Sequence, residues 1–597
     1  MNRTAVFFAA ALAAACGFAA DPYAGYIYPA GATAGTTNRF VIGGQNLWGV
    51  KGVFFDNPGI RVLDIELVPS FTPPSTLQRR HIVNWLDSIA RGITEEPEKP
   101  ADPHIDEWRA NSWWSALHTL DSGQIAIVER DLYTPRNALQ DTPSLRQLML
   151  VTVAVDAGVS PGWHSYTVWG GNGMSAPRPF GVSACPRIAE PLYVPPHRPQ
   201  PAAAFADLRK GDAVLDGQIM PGETDAFQLQ LAKGHDYSFK VTARELLPYV
   251  GDAVPGFFNA SLVLKDQAGA TVAMADDEMR FRPDPVMRFT PAADGIYRLE
   301  IHDVLYRGRA DFVYSIAVSE GAAPSAANAP EADGVVGPGE VARKFIDIEK
   351  PGKMVLEVFA RRLGSPLDAV LTLRRTPNGP ALAQWDDVTN TVFVGTIPQA
   401  ECDPRGEFDF KEPGRYVAEI SDRTGHGGPD YFWKLSVHPP RPGFAVYSTR
   451  STLPLQKKGP LKVKFHVLRH DGFDGAVTLE FPKDVKCVGG VATAGVDVVT
   501  AQLFCNGAPV KEPRPTKVFA KATINGKPVR VPVVPCDEYE QAFAWKHLVP
   551  AETFLLTSQG ARNGDNRGRG KPQGRGGGGD GKSVGTGAVD NPASARR

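Results

Sequence analysis

Cysteine, excess charge and long apolar runs are all scarce in this 597-residue sequence, which has six cysteines and a net charge of -1. A balanced charge excludes both a strongly basic nucleic-acid binder and an acidic tail protein. The metal and redox motifs H-E-x-x-H and C-x-x-C do not occur. Beyond the N-terminus, no run of about 18 apolar residues predicts a membrane-spanning helix.

The N-terminus has the pattern of a secretory signal over residues 1–19, with Arg3, an apolar run from Ala5 to Ala15 and small residues before Asp21. Cleavage after Ala19 would release the protein. Cleavage before Cys16, in a segment that resembles a lipoprotein box, would leave a lipid on that cysteine. Both alternatives predict export to the periplasm, the cell surface or the medium, with a membrane attachment only through Cys16.

Glycine and proline are abundant, with 60 and 52 residues, and short alternating apolar runs dominate between them. This pattern is typical of β-strands joined by frequent turns. We therefore predict a mainly β protein of tandem sandwiches, with a small helical insert at about 75–141 and a disordered tail at 557–597. The tail is too poor in large apolar residues to offset its ordering entropy.

Two segments in the middle of the chain are repeats of each other: Gly295–Asp303 and Gly414–Asp422 match, and further marks match on both sides. The acidic pairs Asp276-Asp277 and Asp386-Asp387 lie upstream at comparable positions. We predict two β-modules of one kind, at 206–320 and 333–439, in which Ala342 stands at the place of Asp225.

The first module carries Asp216-Gly-Gln-Ile, the run Pro221 to Phe227 and Asp294-Gly-Ile-Tyr297. On these residues it resembles the bacterial pre-peptidase C-terminal (PPC) family, and the second module resembles it more weakly. The resemblance implies small jelly-roll-like sandwiches of the type found beside secreted proteases and in large surface proteins.

The block at 22–189 opens with Pro29-x-Gly31, the strand 37–42 and Gly44-x-Asn46-Leu47. It resembles a TIG domain, an immunoglobulin-like type, whose closing strands resume only near residue 148. The insert has a helical pattern that starts at Ser75 and includes Trp85. Packing of two short helices is the simpler interpretation of the insert, and a carbohydrate or peptide contact through its tryptophans is the alternative.

Two Pro- and Ala-rich segments, at 190–205 and about 321–332, are predicted linkers and favour domains in a row. A further immunoglobulin-like sandwich is predicted at 444–556. In the tail, Gly576–Ser583 matches the phosphate-binding P-loop pattern. That loop requires a strand before it and a helix after it, and the low-complexity glycine run predicts neither.

Aspartates in the repeat turns suggest a calcium site, with Asp276, Asp277 and Asp303 as ligands in the first copy. The corresponding residues of the second copy are Asp386, Asp387 and Asp422. The alternative is that these aspartates stabilise turns for conformational reasons. Cys487 and Cys505 flank a predicted strand pair and could form a disulfide, or remain unpaired thiols.

Small modules linked in series leave no room for a catalytic domain of ~250 residues, such as a barrel or doubly wound fold. We therefore predict a non-enzyme that binds a protein or glycan ligand at the cell envelope, or serves as a scaffold, without nucleic acid or cofactor. An accessory component or inactive remnant of a secreted protease system is the alternative. A purely structural spacer is the third hypothesis.

Overall fold

A computed structural model describes residues 21–68, 84–86, 88, 93, 147–190, 202–247, 257–276, 284–321, 332–387, 403–456, 459–541 and 545–559. The predicted signal segment, most of the predicted insert and the tail from residue 560 lie outside this range. Nearly all regular structure in the described residues is β-strand, which confirms the predicted fold class. The strands form mainly antiparallel sheets that pack around separate apolar cores.

The first sandwich has one sheet in the order β1-β3-β6-β5 and a second in the order β2-β9-β7-β4, with β8 added to β7. Its strands are β1 (Tyr23–Tyr28), β2 (Gly31–Thr33), β3 (Thr37–Gln45), β4 (Val50–Phe55), β5 (Ile60–Val68), β6 (Gln147–Val155), β7 (Gly162–Gly170), β8 (Gly173–Met174) and β9 (Arg178–Ser183). Phe40 and Phe180 meet edge to face in its core, with ring centroids 5.3 Å apart.

Between β5 and β6, the chain contains the predicted helical insert. Residues 84–86 and 88 are helical, and Trp85 and Leu86 are buried. The rest of the predicted insert, with its other tryptophans, lies outside the described residues.

The second sandwich comprises the sheets β10-β12-β19-β14-β17 and β11-β13-β18-β15-β16. Its strands are β10 (Arg187–Ala189), β11 (Ala204–Asp207), β12 (Ala213–Gln218), β13 (Asp225–Leu231), β14 (Tyr237–Thr242), β15 (Ala260–Lys265), β16 (Thr271–Ala275), β17 (Val286–Phe289), β18 (Gly295–Asp303) and β19 (Val313–Glu320). A 3₁₀ turn at Leu208–Lys210 follows β11.

The third sandwich repeats this strand order without the first strand of each sheet, as β20-β27-β22-β25 and β21-β26-β23-β24. Its strands are β20 (Gly334–Val335), β21 (Val341–Ile348), β22 (Gly352–Phe359), β23 (Ala369–Arg374), β24 (Ala381–Trp385), β25 (Arg405–Phe410), β26 (Gly414–Asp422) and β27 (Phe432–His438). A 3₁₀ turn at Arg361–Leu363 follows β22. The matching sequence segments Gly295–Asp303 and Gly414–Asp422 therefore become the equivalent central strands β18 and β26.

The fourth sandwich contains the sheets β28-β30-β34-β32, β29-β40-β35 and β33-β31-β36-β37, with the hairpin β38-β39. Its strands are β28 (Gly443–Ser448), β29 (Thr452–Gln456), β30 (Leu461–His470), β31 (Val477–Glu480), β32 (Val485–Val488), β33 (Val491–Ala492), β34 (Val498–Cys505), β35 (Arg514–Thr516), β36 (Phe519–Ile524), β37 (Lys527–Pro532), β38 (Cys536–Gln541), β39 (Trp545–Pro550) and β40 (Phe554–Gln559). Thr557 to Gln559, which were predicted as the first residues of the tail, belong to β40 and pair with β29.

The described ends of the 190–205 segment contribute to the second sandwich. Strand β10, just before the segment, pairs in parallel with β12, and β11 pairs in parallel with β13. Each added strand covers a sheet edge at which the described residues of the third sandwich have no corresponding strand. Ala204 and Phe205, predicted as linker, are therefore strand residues.

The first and second sandwiches also share an apolar contact. Its buried residues are Tyr26, Tyr28, Ala30, Val41, Leu148 and Leu150 from the first sandwich and Leu246, Leu247, Ala310 and Val313 from the second. Because these apolar side chains are removed from water where the two sandwiches meet, their burial stabilises the contact between the two sandwiches through the hydrophobic effect.

Polar contacts connect the remaining sandwiches. Arg288 pairs with Asp430 at 2.8 Å between the second and third sandwiches, and Arg405 pairs with Asp471 between the third and fourth. Arg450 of the fourth sandwich pairs with Asp21 beside the first, at 2.6 Å. The prediction of a simple row is thus wrong for the first and fourth sandwiches, which are in contact.

The predicted disulfide between Cys487 and Cys505 is wrong, because both cysteines are unpaired. Cys505 lies opposite Val485, and Cys487 lies opposite Leu503. The two cysteines are diagonal neighbours, which are typically ~7–8 Å apart with a somewhat shorter distance between their Cβ atoms, whereas a disulfide requires a Cβ–Cβ distance of about 4 Å. The alternative of unpaired thiols is the one observed. Across the described parts of the chain, no helix has the length and apolarity to cross a membrane.

Gly308 and Gly427 occupy equivalent tight positions, and alanine should destabilise either sandwich. A Cβ at Gly308 would lie 2.1 Å from the carbonyl carbon of Met220, and one at Gly427 would lie 2.2 Å from that of Gly337. Since backbone atoms must move, we expect Gly308→Ala or Gly427→Ala to cost about 1–3 kcal/mol. Scanning calorimetry should show one lowered transition. Gly158→Ala, where a Cβ meets nothing within 4 Å, is the control; equal losses in all three variants would contradict the explanation.

Candidate functional site

The loop that follows β18 in the second sandwich is held by the fully buried side chain of Asp303. Its carboxylate accepts hydrogen bonds from the backbone N–H groups of Asn259, Leu305 and Arg307, at 2.9, 3.0 and 3.1 Å. The Arg307 guanidinium donates two more, at 2.9 and 3.0 Å. Burial raises the pKa of Asp303, but the bonds from Arg307 and the backbone outweigh it and leave the pKa below its usual range. One ionised side chain therefore fixes the path of the loop.

Within this loop, Tyr306 adopts a left-handed backbone conformation, with φ of 52°. Its N–H donates to the carbonyl of Asp303 at 2.7 Å, and its carbonyl accepts from Gly222 at 3.2 Å. Such a conformation costs a bulky residue roughly 1–2 kcal/mol, because its Cβ crowds the following carbonyl. The hydrogen bonds around Tyr306 hold it in this conformation.

The tip of the loop exposes apolar and aromatic groups, and we call residues 304–307 the Tyr306 loop. Tyr306 is 55% exposed and Leu305 is 68% exposed. The tyrosine ring stacks on the ring of His302, with centroids 4.8 Å apart and an interplanar angle of 11°. The loop thus presents an aromatic ring in a fixed orientation, beside an exposed aliphatic side chain.

The third sandwich has the same loop backbone without the tyrosine. Asp422 accepts hydrogen bonds from the N–H groups of Asp368, Thr424 and His426. At the position of Tyr306 stands Gly425, with φ of 79°, a residue that adopts this conformation without strain. The loop backbone therefore folds without a tyrosine at this position. The comparison gives no reason in the fold for the strained conformation of Tyr306.

Of the residues predicted as calcium ligands in the first copy, the structure describes Asp303 and Asp276. Asp303 is engaged by five N–H donors, as described above. Asp276 is exposed at the end of β16, and Asp277 lies outside the described residues. Calcium at Asp276, Asp277 and Asp303 stays a prediction.

In the second copy, the predicted residues Asp386 and Asp387 lie close to Asp368. One carboxylate oxygen from each lies within 4.8 Å of the others. The third predicted residue, Asp422, is engaged with the backbone N–H of Asp368 instead. Asp368 was not identified from the sequence as a member of this acidic cluster. Asp368 directly precedes β23, as Asn259 directly precedes β15, so the acidic residue at this position of the repeat was a signal that could have identified it.

Two arginines partly balance this acidic cluster. Arg361 pairs with Asp368 at 2.8 Å, and Arg423 pairs with Asp386. Burial, followed by the charge of Asp368, raises the pKa of Asp387 to about 6. Burial also raises the pKa of Asp368. Chemically, the cluster favours a proton or a cation over a third unpaired negative charge.

No family model and no curated protein matches the chain. Among solved structures, it is similar to SGBP-B of the Bacteroides ovatus mixed-linkage glucan utilization locus, determined with a mixed-linkage heptasaccharide. That match has 10% identity over 68% of this chain and 72% of the other, with a TM-score of 0.13. The D1-D4 ectodomain fragment of ICAM-5 matches at 11% identity over 86% and 97% of the chains, with a TM-score of 0.10. TM-scores this low do not establish a shared overall fold.

Neutralising Asp387 should stabilise the third sandwich at alkaline pH. Because its folded pKa of about 6 lies above the unfolded value, its contribution to stability is lost as the pH rises through about 6. We expect Asp387→Asn to gain roughly 0.5–1 kcal/mol at pH 8, a value reduced by solvent screening, and little at pH 4.

The measurement is the calorimetric transition of the third sandwich at both pH values, with Asp386→Asn as the control that removes an arginine partner. A gain for Asp386→Asn equal to that for Asp387→Asn would contradict the assignment of the unfavourable charge.

Proposed function

We propose that this chain is an exported multi-domain binding protein of the bacterial cell surface or periplasm, without catalysis of its own. Its ligand contact is the Tyr306 loop of the second sandwich, and its ligand is a glycan. The observation that carries this proposal is the strained and exposed conformation of Tyr306 at a position where the second copy has glycine.

Strain at an exposed position supports a binding role. A buried residue in a rare conformation can be compensated by packing, but more than half of the Tyr306 surface faces solvent. Stacking on His302 contributes about 0.5–1.5 kcal/mol, which is comparable to the strain and leaves no clear stability gain. Strained residues of this kind concentrate at ligand contacts.

A glycan suits the geometry of the loop. A sugar ring presents a face of C–H groups, which packs against the negative face of an aromatic ring. The Tyr306 ring is already oriented by the His302 stack, so little side-chain freedom is lost when a ligand binds. A protein ligand contacting the same tyrosine and Leu305 is the second candidate, because exposed tyrosines also serve as anchors in protein interfaces.

The other domains act as scaffold in this proposal. In the third sandwich the equivalent loop, residues 423–426, has Gly425 at the position of Tyr306, and the aromatic ring that it carries is the imidazole of His426 at the position of Arg307. The contacts among the four sandwiches set the position of the binding loop. The PPC-like resemblance of the repeats supports the same assignment, since such modules accompany other domains in exported proteins.

Replacing Tyr306 by asparagine should separate binding from stability. Asparagine tolerates the left-handed conformation, so we expect an unchanged or higher melting temperature for Tyr306→Asn. Binding on a bacterial glycan array should fall at least tenfold, because the aromatic face is lost. The matched control is Phe205→Ala, which removes an aromatic ring that is 49% exposed elsewhere on the same sandwich.

A lower melting temperature with retained glycan binding would show that the ring has a structural role and would overturn the proposal. The second candidate is favoured if neither the wild type nor the two variants bind a glycan, and Tyr306→Asn loses binding to a purified protein ligand.

A further inference from the structure

Three carboxyl groups lie together at the junction of the first and second sandwiches. Glu190 follows β10, Glu223 lies in the turn before β13, and Asp225 begins β13. Asp225 is only 4% exposed. Glu190 is partly buried as a whole residue, but its carboxyl end is enclosed. None of the three takes part in the Tyr306 loop.

The partners of these carboxyl groups favour a proton within the cluster. One oxygen of Asp225 accepts from the Tyr314 hydroxyl at 2.8 Å, while its Oδ1 receives no N–H or hydroxyl hydrogen bond from the described residues. The carboxyl groups of Glu190 and Asp225 lie close enough for each to affect the other's pKa by charge and by hydrogen bonding. Two carboxyl groups can form such a bond only when one of them carries a proton.

The cluster is connected to both sandwiches. The backbone N–H of Gln218 in β12 donates to Glu190 Oε1 at 2.5 Å. The carbonyl of Glu190 accepts from the hydroxyl of Tyr28, a residue of β1 in the first sandwich, at 3.2 Å. Tyr28 also belongs to the apolar contact between the two sandwiches. A displacement of Glu190 therefore acts on the junction itself.

The nearby cations are paired with other acids. Arg187 of β10 forms two hydrogen bonds with Asp216 of β12, at 2.9 and 2.6 Å. Arg309, in the loop before β19, pairs with Asp311 at 2.7 Å. The groups that act on the three carboxyls are one another, the Tyr314 hydroxyl and the backbone N–H groups of Gln218 and Met220.

We propose that Glu190, Glu223 and Asp225 form a pH-sensitive joint, in which a shared proton holds the first two sandwiches together and its loss loosens their junction. Burial, followed by the charge of Asp225, raises the pKa of Glu190 well above its usual range and that of Glu223 to about 7. Burial raises the pKa of Asp225 to about 6. Because these folded values are raised, the stabilisation is fully present below the ordinary carboxyl pKa and is lost as the pH rises through about 6 to 7.

Hydrogen–deuterium exchange of the full chain, corrected for the intrinsic effect of pH, tests this joint. Between pH 5.5 and 8, we expect peptides around Tyr28, Gln218 and Tyr314 to exchange roughly tenfold faster for each pH unit over which one proton is lost. Glu190→Gln keeps a hydrogen-bond donor toward Asp225 at every pH and should remove most of this acceleration. Glu349→Gln, at an exposed position of the third sandwich, is the control and should behave as the wild type.

An acceleration that Glu190→Gln leaves unchanged, or one that is equal in all four sandwiches, would overturn the proposal. If the glutamine variant does not fold, an infrared titration of protonated carboxyl groups in the wild type decides instead. The proposal requires a protonated carboxyl signal at pH 6 that is larger than that of the Asp225→Asn variant and that falls by pH 8. Complete loss of this signal by pH 5 would overturn it.

Discussion

Hydrogen bonds from backbone N–H groups to buried carboxylates are the interaction on which both repeats depend. Asp284 accepts from Ala243 and Arg244 in the second sandwich, and Asp403 accepts from Ala360 and Arg361 in the third. Asp303 and Asp422 do the same for the loops after β18 and β26. Loop N–H groups withdrawn from water would otherwise remain unpaired, at a cost of about 1–3 kcal/mol each. These four aspartates keep the loop backbones alike while the side chains differ.

With the backbone fixed in this way, one contacting pair of side chains changes together between the two copies. In the second sandwich the Tyr314 hydroxyl donates to Asp225. In the third, Trp433 and Ala342 take these two positions, and neither a hydroxyl nor a carboxylate remains at the site. Changing both partners removes the hydroxyl and the carboxylate together, so neither is left buried without the other, although the indole N–H of Trp433 is buried and finds no acceptor among the described residues. The cluster of Glu190, Glu223 and Asp225 therefore belongs to the second sandwich. It lies at the junction with the first sandwich, where the carbonyl of Glu190 contacts the hydroxyl of Tyr28.

The parts of this structure that were predictable from the sequence have local signals. Alternating residues with a period of two predict strands such as β18, and the same strand recurs as β26 because its pattern recurs. The acidic pair Asp386-Asp387 was also visible as a motif. Asp368 was not, since it joins that pair only through the pairing of β23 with β24, across about 18 residues of sequence.

Other features have no local signal at all. The left-handed conformation of Tyr306 follows from hydrogen bonds to Asp303 and Gly222, and tyrosine itself gives no indication of it. The contact of Glu190 with Asp225 crosses a segment whose prolines indicate only a linker. Backbone conformation and long-range proximity both depend on the assembled sheets, so they became visible only in three dimensions.

The parallel pairing of β10 with β12 has a mechanical consequence. A pull on the first sandwich, directed along β10, would load its hydrogen bonds with β12 together in shear rather than open them one at a time. The two hydrogen bonds of Arg187 with Asp216 span the same pair of strands and would resist the same displacement. Under tension, the connection between these domains would therefore extend only after this short strand had slid from its sheet.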